Sequence, residues 1–363
     1  MVDTVDMLVF WAVILARFFI PLAIPKYPLP AIVASLVLDG VDQTIFQQFT
    51  SLPLEGYQGY DKALDIYYLA ITYLSTLRNW TNQYAFKWSR FLFYYRLLGV
   101  ALFELTQLRL LLLIFPNVFE YFFIFYEVVR LKWKPTILTK KQIIASVAFI
   151  WIFIKLPQEY WIHIAQIDTT DMIKANPWTI LILVGWSAVV IIGVWLILKG
   201  MPKPQKGFSI AADPIPSNIV NYGIYYSKDT RRPIFNRELF EKVLLVSLLS
   251  IIFAQVLPGV QATNAQIAIA VTFVIIVNTA LSHWFARRGT HWESIIREFA
   301  IMSVVNSGII IVYDLFIAPR YESSISVGVT LFFILLLTLN VVLYDRYRPI
   351  YVRRFGKEAQ ETD

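Results

Sequence analysis

The chain contains no cysteine and few charged residues. Without cysteine it cannot form a disulfide, a thiolate nucleophile, an Fe–S cluster or a Cys-ligated zinc site. Lys, Arg, Asp and Glu together make up 16% of the 363 residues, whereas hydrophobic residues make up 58%. A soluble domain with so few charges cannot keep that much apolar surface out of water. The composition therefore excludes soluble enzymes, fibrous proteins, disordered regulators and disulfide-rich secreted domains, and it predicts a membrane protein.

Several sequence motifs of well-known chemistries are also missing. The chain has no P-loop, GxGxxG, GxSxG or HExxH motif, so no nucleotide motif, serine hydrolase elbow or zinc protease helix is available. Its three histidines, His163, His283 and His291, are scattered along the chain. They supply neither a transmembrane pair for haem nor a His-rich metal site. We therefore expect no haem, no Fe–S cluster and no nucleotide cofactor.

Long apolar stretches separated by short polar joints run along the whole chain. A helix needs about 20 apolar residues to cross a bilayer, and the sequence divides into about eleven such stretches. We predict an all-α, polytopic bundle of membrane-spanning helices. The predicted spans are Met7–Ile24, Pro28–Phe49, Asp61–Leu77, Phe91–Gln107, Leu110–Val129, Gln142–Leu156, Pro177–Leu198, Val243–Leu257, Ala262–Leu281, Glu298–Ala318 and Ser324–Leu343. The second span, or the crowded pair between Phe91 and Val129, could be re-entrant or broken, and a re-entrant second span would reduce the count by one.

Lys and Arg are concentrated in alternate joints. Most of the 32 basic residues follow the odd-numbered spans, which predicts an outer N-terminus and an inner C-terminus in a multi-pass plasma-membrane protein without a cleavable signal peptide. The predicted parts are an N-terminal membrane bundle (1–199), a Pro-rich basic cytoplasmic loop (200–242), a C-terminal membrane bundle (243–345) and a basic cytoplasmic tail (346–363). We expect the basic loop Arg130–Lys141 and the tail Arg346–Lys357 to contact anionic lipid headgroups, and we expect no nucleic-acid partner.

Two pairs of aspartates lie inside or beside the second and third predicted spans. Asp39 and Asp42 are three residues apart and share a helix face, and Asp61 and Asp65 are four apart on the next helix. Both pairs are predicted toward the outer leaflet. Four close carboxylates repel one another unless a cation, protons or basic side chains compensate. We predict a divalent-cation site for Mg²⁺ or Mn²⁺ with Asp39, Asp42 and Asp61 as ligands; a H⁺ or Na⁺ site and helix-packing ion pairs are the alternatives.

The aspartate spacing resembles the metal-binding signature of CDP-alcohol phosphotransferases. In that family paired aspartates hold divalent cations and the last carboxylate acts as a base, which the resemblance extends to Asp65. The chain departs from the signature because Gln43 stands where the family has Gly, and Phe46 and Gln47 replace its Ala-Arg pair. The distance between the pairs is also one residue longer, and the predicted outer position does not suit a cytoplasmic CDP-linked donor. We therefore do not assign the chain to this family.

The leading functional hypothesis is a membrane-embedded, metal-dependent enzyme acting on a lipid or lipid-linked phosphate at the extracytoplasmic leaflet. Asp65 would accept a proton, and Lys155 or Arg109 would balance the leaving-group charge. Pro157–Asp171 is read as an interfacial helix or as a lid over the aspartates. The residues predicted to bind substrate are Tyr57, Tyr68, Glu159 and His163.

Two alternatives remain open from the sequence. An ion-coupled transporter would use the same carboxylates for H⁺ or Na⁺, although 14 Gly against 27 Phe, 20 Tyr and 11 Trp is unlike the small-residue interfaces of sliding helices. In a non-catalytic subunit or scaffold, the acids would be ion pairs that fix helix packing.

Overall fold

The structure, a computed structural model, describes residues 4–51, 54–166, 172, 176–204, 208–215, 237–256, 275–277, 295–316 and 327–359. These residues form helices and contain no strand, which confirms the all-α prediction for the described part of the chain. Five helices there are long and apolar enough to cross a membrane, as an integral membrane protein requires. They are Thr4–Ala23, Leu110–Arg130, Lys140–Ile164, Thr179–Ile197 and Leu239–Val256.

Twelve α-helices are defined in the described residues. They are α1 (Thr4–Phe19), α2 (Pro28–Phe49), α3 (Leu54–Asn79), α4 (Gln83–Thr106), α5 (Leu110–Ile114), α6 (Val118–Arg130), α7 (Lys140–Phe149), α8 (Leu156–Glu159), α9 (Thr179–Lys199), α10 (Arg237–Val256), α11 (Ile295–Phe316) and α12 (Val327–Ala359). The ninth predicted span, Ala262–Leu281, lies outside the described residues except for 275–277. α3 and α4 begin seven and eight residues before the predicted spans, because polar residues extend these helices beyond their apolar stretches.

The helices group into two compact units. The first unit contains residues 1–79 and 211–363, and the second contains residues 80–210. The predicted boundaries of membrane bundles, loop and tail stay a prediction.

In the first unit, hydrogen bonds fasten α1, α2 and α3 together at both ends. Pro28 begins α2, where a missing backbone N–H costs nothing. At that end Arg78 and Asn79 of α3 donate side-chain hydrogen bonds to the carbonyl oxygen of Pro25, at 2.8 and 3.1 Å. At the other end, the backbone N–H and hydroxyl of Ser51 donate to Asp6 of α1. These hydrogen bonds at the two ends set the register of the three helices.

α12 continues well beyond the predicted eleventh span. It runs to Ala359 and includes much of the predicted basic tail. Ion pairs join it to α10, with Arg348 3.0 Å from Glu241 and Lys242 2.7 Å from Asp345. Basic residues that the sequence assigns to a tail therefore belong in part to a packed helix.

In the second unit, two of the membrane-length helices are irregular. The helix between Leu110 and Arg130 is interrupted at residues 115–117, between α5 and α6, where Pro116 cannot donate a backbone hydrogen bond. The helix from Lys140 to Ile164 contains π-helical turns at Ile150–Lys155 and Tyr160–Ile164, on either side of α8. The predicted interfacial segment from Pro157 is thus, as far as Ile164, a continuation of this helix, and residues 167–171 lie outside the described part.

Candidate functional site

Arg17 lies at the centre of the four aspartates singled out in the sequence. It belongs to the last turn of α1, while the aspartate pairs come from α2 and α3. Its Nη1 donates to Asp42 and Asp61. Its Nη2 donates to Asp65 and to Oδ1 of Asp39, the latter at 2.5 Å. We call these five residues the Arg17 cluster.

Aromatic packing holds the cluster from both sides. Phe10, about two turns before Arg17 and therefore nearer the start of α1, makes edge contacts with Phe46 and Tyr60, with ring centroids 5.9 and 5.7 Å apart. On the other side the ring of Tyr67 stacks on Phe18, and its hydroxyl donates to the Phe18 carbonyl at 3.0 Å. The positions of the three helices at the cluster are therefore fixed by side chains as well as by the end fastenings.

The cluster lies near the middle of α2, in the first half of α3 and at the last turn of α1. Asp39 is about 15 Å from either end of α2 at 1.5 Å per residue. The sequence predicts the aspartates toward the outer leaflet, because the predicted third span begins at Asp61. Since α3 begins at Leu54, Asp61 and Asp65 lie well inside that helix.

Burial divides the cluster into a closed part and an open part. The side chains of Arg17 and Asp42 are 3% and 2% exposed. Those of Asp39, Asp61 and Asp65 are 31%, 28% and 38% exposed. One carboxylate oxygen from each of these three lies within 4.8 Å of the other two. This oxygen spacing suits a cation, and we call the three residues the open triad.

The electrostatic balance of the cluster depends on the protonation of its carboxylates. When all four are ionised they exceed the guanidinium of Arg17 by three charges. Close like charges raise one another's free energy until a proton or a cation compensates. The arrangement can therefore bind a cation at the open triad or share protons among its carboxylates.

The predicted ligands and the observed triad differ in one residue. Of the three predicted ligands, Asp39 and Asp61 belong to the open triad, whereas Asp42 is buried against Arg17. The third member of the triad is Asp65, which was predicted as the base. The geometry favours Asp65 over Asp42 as a ligand. Tyr68 is buried, and the side chain of Tyr57 lies outside the described part of the structure. The catalytic, metal and substrate roles stay predictions.

The other predicted site residues belong to the second unit. Glu159 is 3.0 Å from Nε2 of His163 and 3.6 Å from Nζ of Lys155. Its Oε1 accepts a hydrogen bond from the backbone N–H of Asn117, at the start of α6. Arg109 precedes α5. The structure brings Lys155, Glu159 and His163 together in a network of their own.

Sequence reasoning missed the central role of Arg17. This residue lies inside the first predicted span, Met7–Ile24. Its role could have been predicted because it is a single arginine in an apolar span, and such a residue needs a buried partner or an aqueous path. The two pairs of aspartates, three and four residues apart, were the acidic partners available to it.

Comparison of the chain with protein-family models, curated proteins and solved structures gives no match.

Proposed function

We propose that the chain is a polytopic membrane protein whose Arg17 cluster binds a divalent cation and uses it in an enzymatic reaction on a lipid or lipid-linked phosphate. The observation that supports this proposal is the open triad, three carboxylate oxygens within 4.8 Å of one another in a cluster where four carboxylates surround one guanidinium. Oxygen ligands of this kind suit Mg²⁺ or Mn²⁺, which keep free positions for water and substrate phosphate. The eleven spans, the outer N-terminus and the plasma-membrane location form part of the same proposal.

The proposed substrate class follows from the surroundings of the triad. A cation held by carboxylates attracts anionic groups, and lipid phosphates are the abundant anions beside apolar helices. In this proposal Asp39 and Asp61 hold the ion, Asp65 completes the triad and accepts the proton of the attacking hydroxyl, and Asp42 orients Arg17. Lys155 or Arg109 was predicted from the sequence to balance the leaving-group charge, and Arg17 is the better candidate because it contacts the aspartates.

Cation binding by the purified full-length chain tests the proposal directly. Calorimetry and thermal shift with Mg²⁺, Mn²⁺, Ca²⁺ and Na⁺ would compare wild type with a variant carrying Asp39→Asn, Asp61→Asn and Asp65→Asn. Asp213→Asn, a change of an exposed aspartate of the same unit, is the matched control. We expect saturable Mg²⁺ or Mn²⁺ binding in wild type and control, and its loss in the triple variant. No divalent effect in wild type would refute the metal-dependent enzyme.

Ion-coupled transport is the second candidate, favoured by the second unit. Broken membrane helices with charged groups at the break are typical of transporter ion sites. Here the interruption at residues 115–117 puts the start of α6 against Glu159, beside Lys155 and His163. Binding of Na⁺ or a strong pH dependence, without any divalent effect, would favour transport.

The third candidate is a scaffold, in which Arg17 simply joins three helices. The contacts of Arg17 with all four aspartates favour this reading. It predicts that the triple Asn variant, which keeps only the ion pair of Arg17 with Asp42, is less stable than wild type. It also predicts that no cation changes the stability of either protein.

A further inference from the structure

One end of the second unit carries a surface of exposed lysines, which we call the basic face. The face gathers the start of α4, the joint between α6 and α7, the start of α7 and the end of α9. Its exposed lysines are Lys87, Lys132, Lys134, Lys140, Lys141 and Lys199.

Hydrogen bonds hold these segments together as one surface. The side chain of Asn82, which caps α4, donates to the carbonyl oxygens of Pro135 and Leu138 at 3.1 and 3.2 Å. The indole of Trp133 donates to the carbonyl oxygen of Pro202, just beyond α9, at 2.8 Å. The lysines are therefore carried by an ordered surface and not by a loose tail.

Acidic side chains do not balance this face. The described residues of the second unit contain four carboxylates: Glu104, Glu120, Glu127 and Glu159. Glu104 lies at the far end of α4, and Glu120 and Glu159 meet Asn117 at the far end of α6. Glu127 is fully buried and bonded to Trp80 and Arg130. Within the described part, the exposed charge of the basic face is positive throughout.

Some of these lysines also stand where the helix dipole disfavours them. Lys140 and Lys141 occupy the first turn of α7, which contains no acidic residue, although the positive end of a helix prefers anions. α4 begins beside it, with Nζ of Lys140 5.7 Å from the ring centre of Tyr84. The positive charges of these lysines are repelled by the positive ends of the two adjacent helices. An external anion would compensate that repulsion.

The aromatic side chains of the face suggest which anion is present. Trp133 and Trp195 lie among the lysines, and Nζ of Lys199 is 4.7 Å from the ring centre of Trp195. Tryptophan and lysine together at the ends of apolar helices are typical of the headgroup layer of a membrane. We propose that the basic face binds the phosphate groups of anionic phospholipids in the leaflet that it meets. This inference is independent of the function proposed for the Arg17 cluster.

Lipid selection in nanodiscs tests the proposal. The full-length protein would be inserted into phosphatidylcholine nanodiscs with a minor share of phosphatidylglycerol, and native mass spectrometry would count the lipids of each kind that stay bound. The test variant carries Lys132→Gln, Lys134→Gln, Lys140→Gln and Lys141→Gln. The matched control carries Arg at the same four positions and keeps the charge.

We expect wild type and the Arg control to retain phosphatidylglycerol well above its share in the bilayer. Each basic residue near an anionic surface strengthens binding to that surface about fivefold, so loss of four lysines should reduce this preference at least about tenfold. The preference should also fall when the NaCl concentration is raised, because salt screens exposed charges. Equal lipid selection by wild type and the Gln variant would overturn the proposal. So would displacement of the lipid by inorganic phosphate but not by chloride at equal ionic strength, since the ligand would then be a soluble anion.

Discussion

Arg17 has the largest expected effect of any single residue. It contacts four carboxylates at a site where two of the five side chains are almost fully buried. An ion pair of this kind is weak support for stability in itself, but removing one partner leaves a buried charge uncompensated. Replacing Arg17 therefore distinguishes two roles of the cluster, a structural ion pair and a cation-binding site.

We expect Arg17→Gln to destabilise the protein by about 3 kcal/mol or more, since the carboxylates lose the guanidinium that contacts all four of them. Mg²⁺ should raise the unfolding temperature of this variant more than that of wild type, because the ion replaces the lost charge. Arg17→Lys, which keeps the charge but loses the fork of donors, should be less affected. Thermal unfolding in detergent with and without Mg²⁺ measures both effects. An Arg17→Gln variant as stable as wild type would show that the aspartates are protonated.

A second residue-scale prediction concerns the buried carboxylate of Glu127. Its Oε1 accepts a hydrogen bond from the Trp80 indole at 3.0 Å, and both side chains are fully buried. Trp80→Phe keeps most of the ring volume but removes the donor, which should cost about 1–3 kcal/mol of unfolding free energy. Trp88→Phe, at a half-buried position of α4, is the control. Equal losses in the two variants would mean that ring volume and not the hydrogen bond matters.

At the scale of elements, the interruption between α5 and α6 depends on close packing with α4. Gly99 of α4 faces Phe115, and a Cβ atom at Gly99 would lie 2.1 Å from Cβ of Phe115 and 2.5 Å from its Cγ. Both atoms are close to the backbone and cannot swing away. Only glycine therefore allows α4 to approach the break without displacing it.

We expect Gly99→Ala to destabilise the second unit by about 1–3 kcal/mol through overpacking. The matched control is Gly185→Ala in α9, where a Cβ atom meets nothing within 4 Å. That change should be neutral or stabilising by up to about 1 kcal/mol, because alanine favours helix. Unfolding temperatures of the two variants provide the comparison. A stable Gly99→Ala protein would contradict the close approach at Phe115.

The sequence predicted elements better than it predicted their ends. Apolar length alone located α1 and α9, because a long hydrophobic run has few other structures available. It placed the start of α3 too late, since the early residues of that helix are polar. The π-helical turns on either side of Pro157 left no signal, because the residue pattern of a π turn resembles that of an α turn.

The candidate site shows the same limit. Helical spacing predicted that Asp39 would lie near Asp42 and Asp61 near Asp65, and the short joint between α2 and α3 made the two helices neighbours. It could not predict that α1 would bring Arg17 among them, because that contact depends on three helices packing together. The far-separated partners Lys155 and Arg109 were chosen by charge alone.

For the whole molecule, the open question is how the chain crosses the membrane. The five membrane-length helices of the described residues fit an integral membrane protein, and the count of eleven spans with an outer N-terminus is our proposal. The absence of cysteine makes the wild-type chain a background in which one introduced cysteine is the only thiol. Topology can therefore be measured without first removing native residues.

We expect Thr4→Cys and Ser51→Cys to react with a membrane-impermeant maleimide in intact cells, because both positions lie on the predicted outer side. Thr136→Cys, in the exposed joint between α6 and α7, should react only after the cells are permeabilised. A membrane-permeant maleimide on all three variants controls for reactivity. If Ser51→Cys reacted while Thr4→Cys were protected, α2 would be re-entrant, the N-terminus would lie inside and the count would drop to ten. If Thr136→Cys reacted in intact cells, the basic face would meet the outer leaflet, and the positive-inside assignment would be reversed.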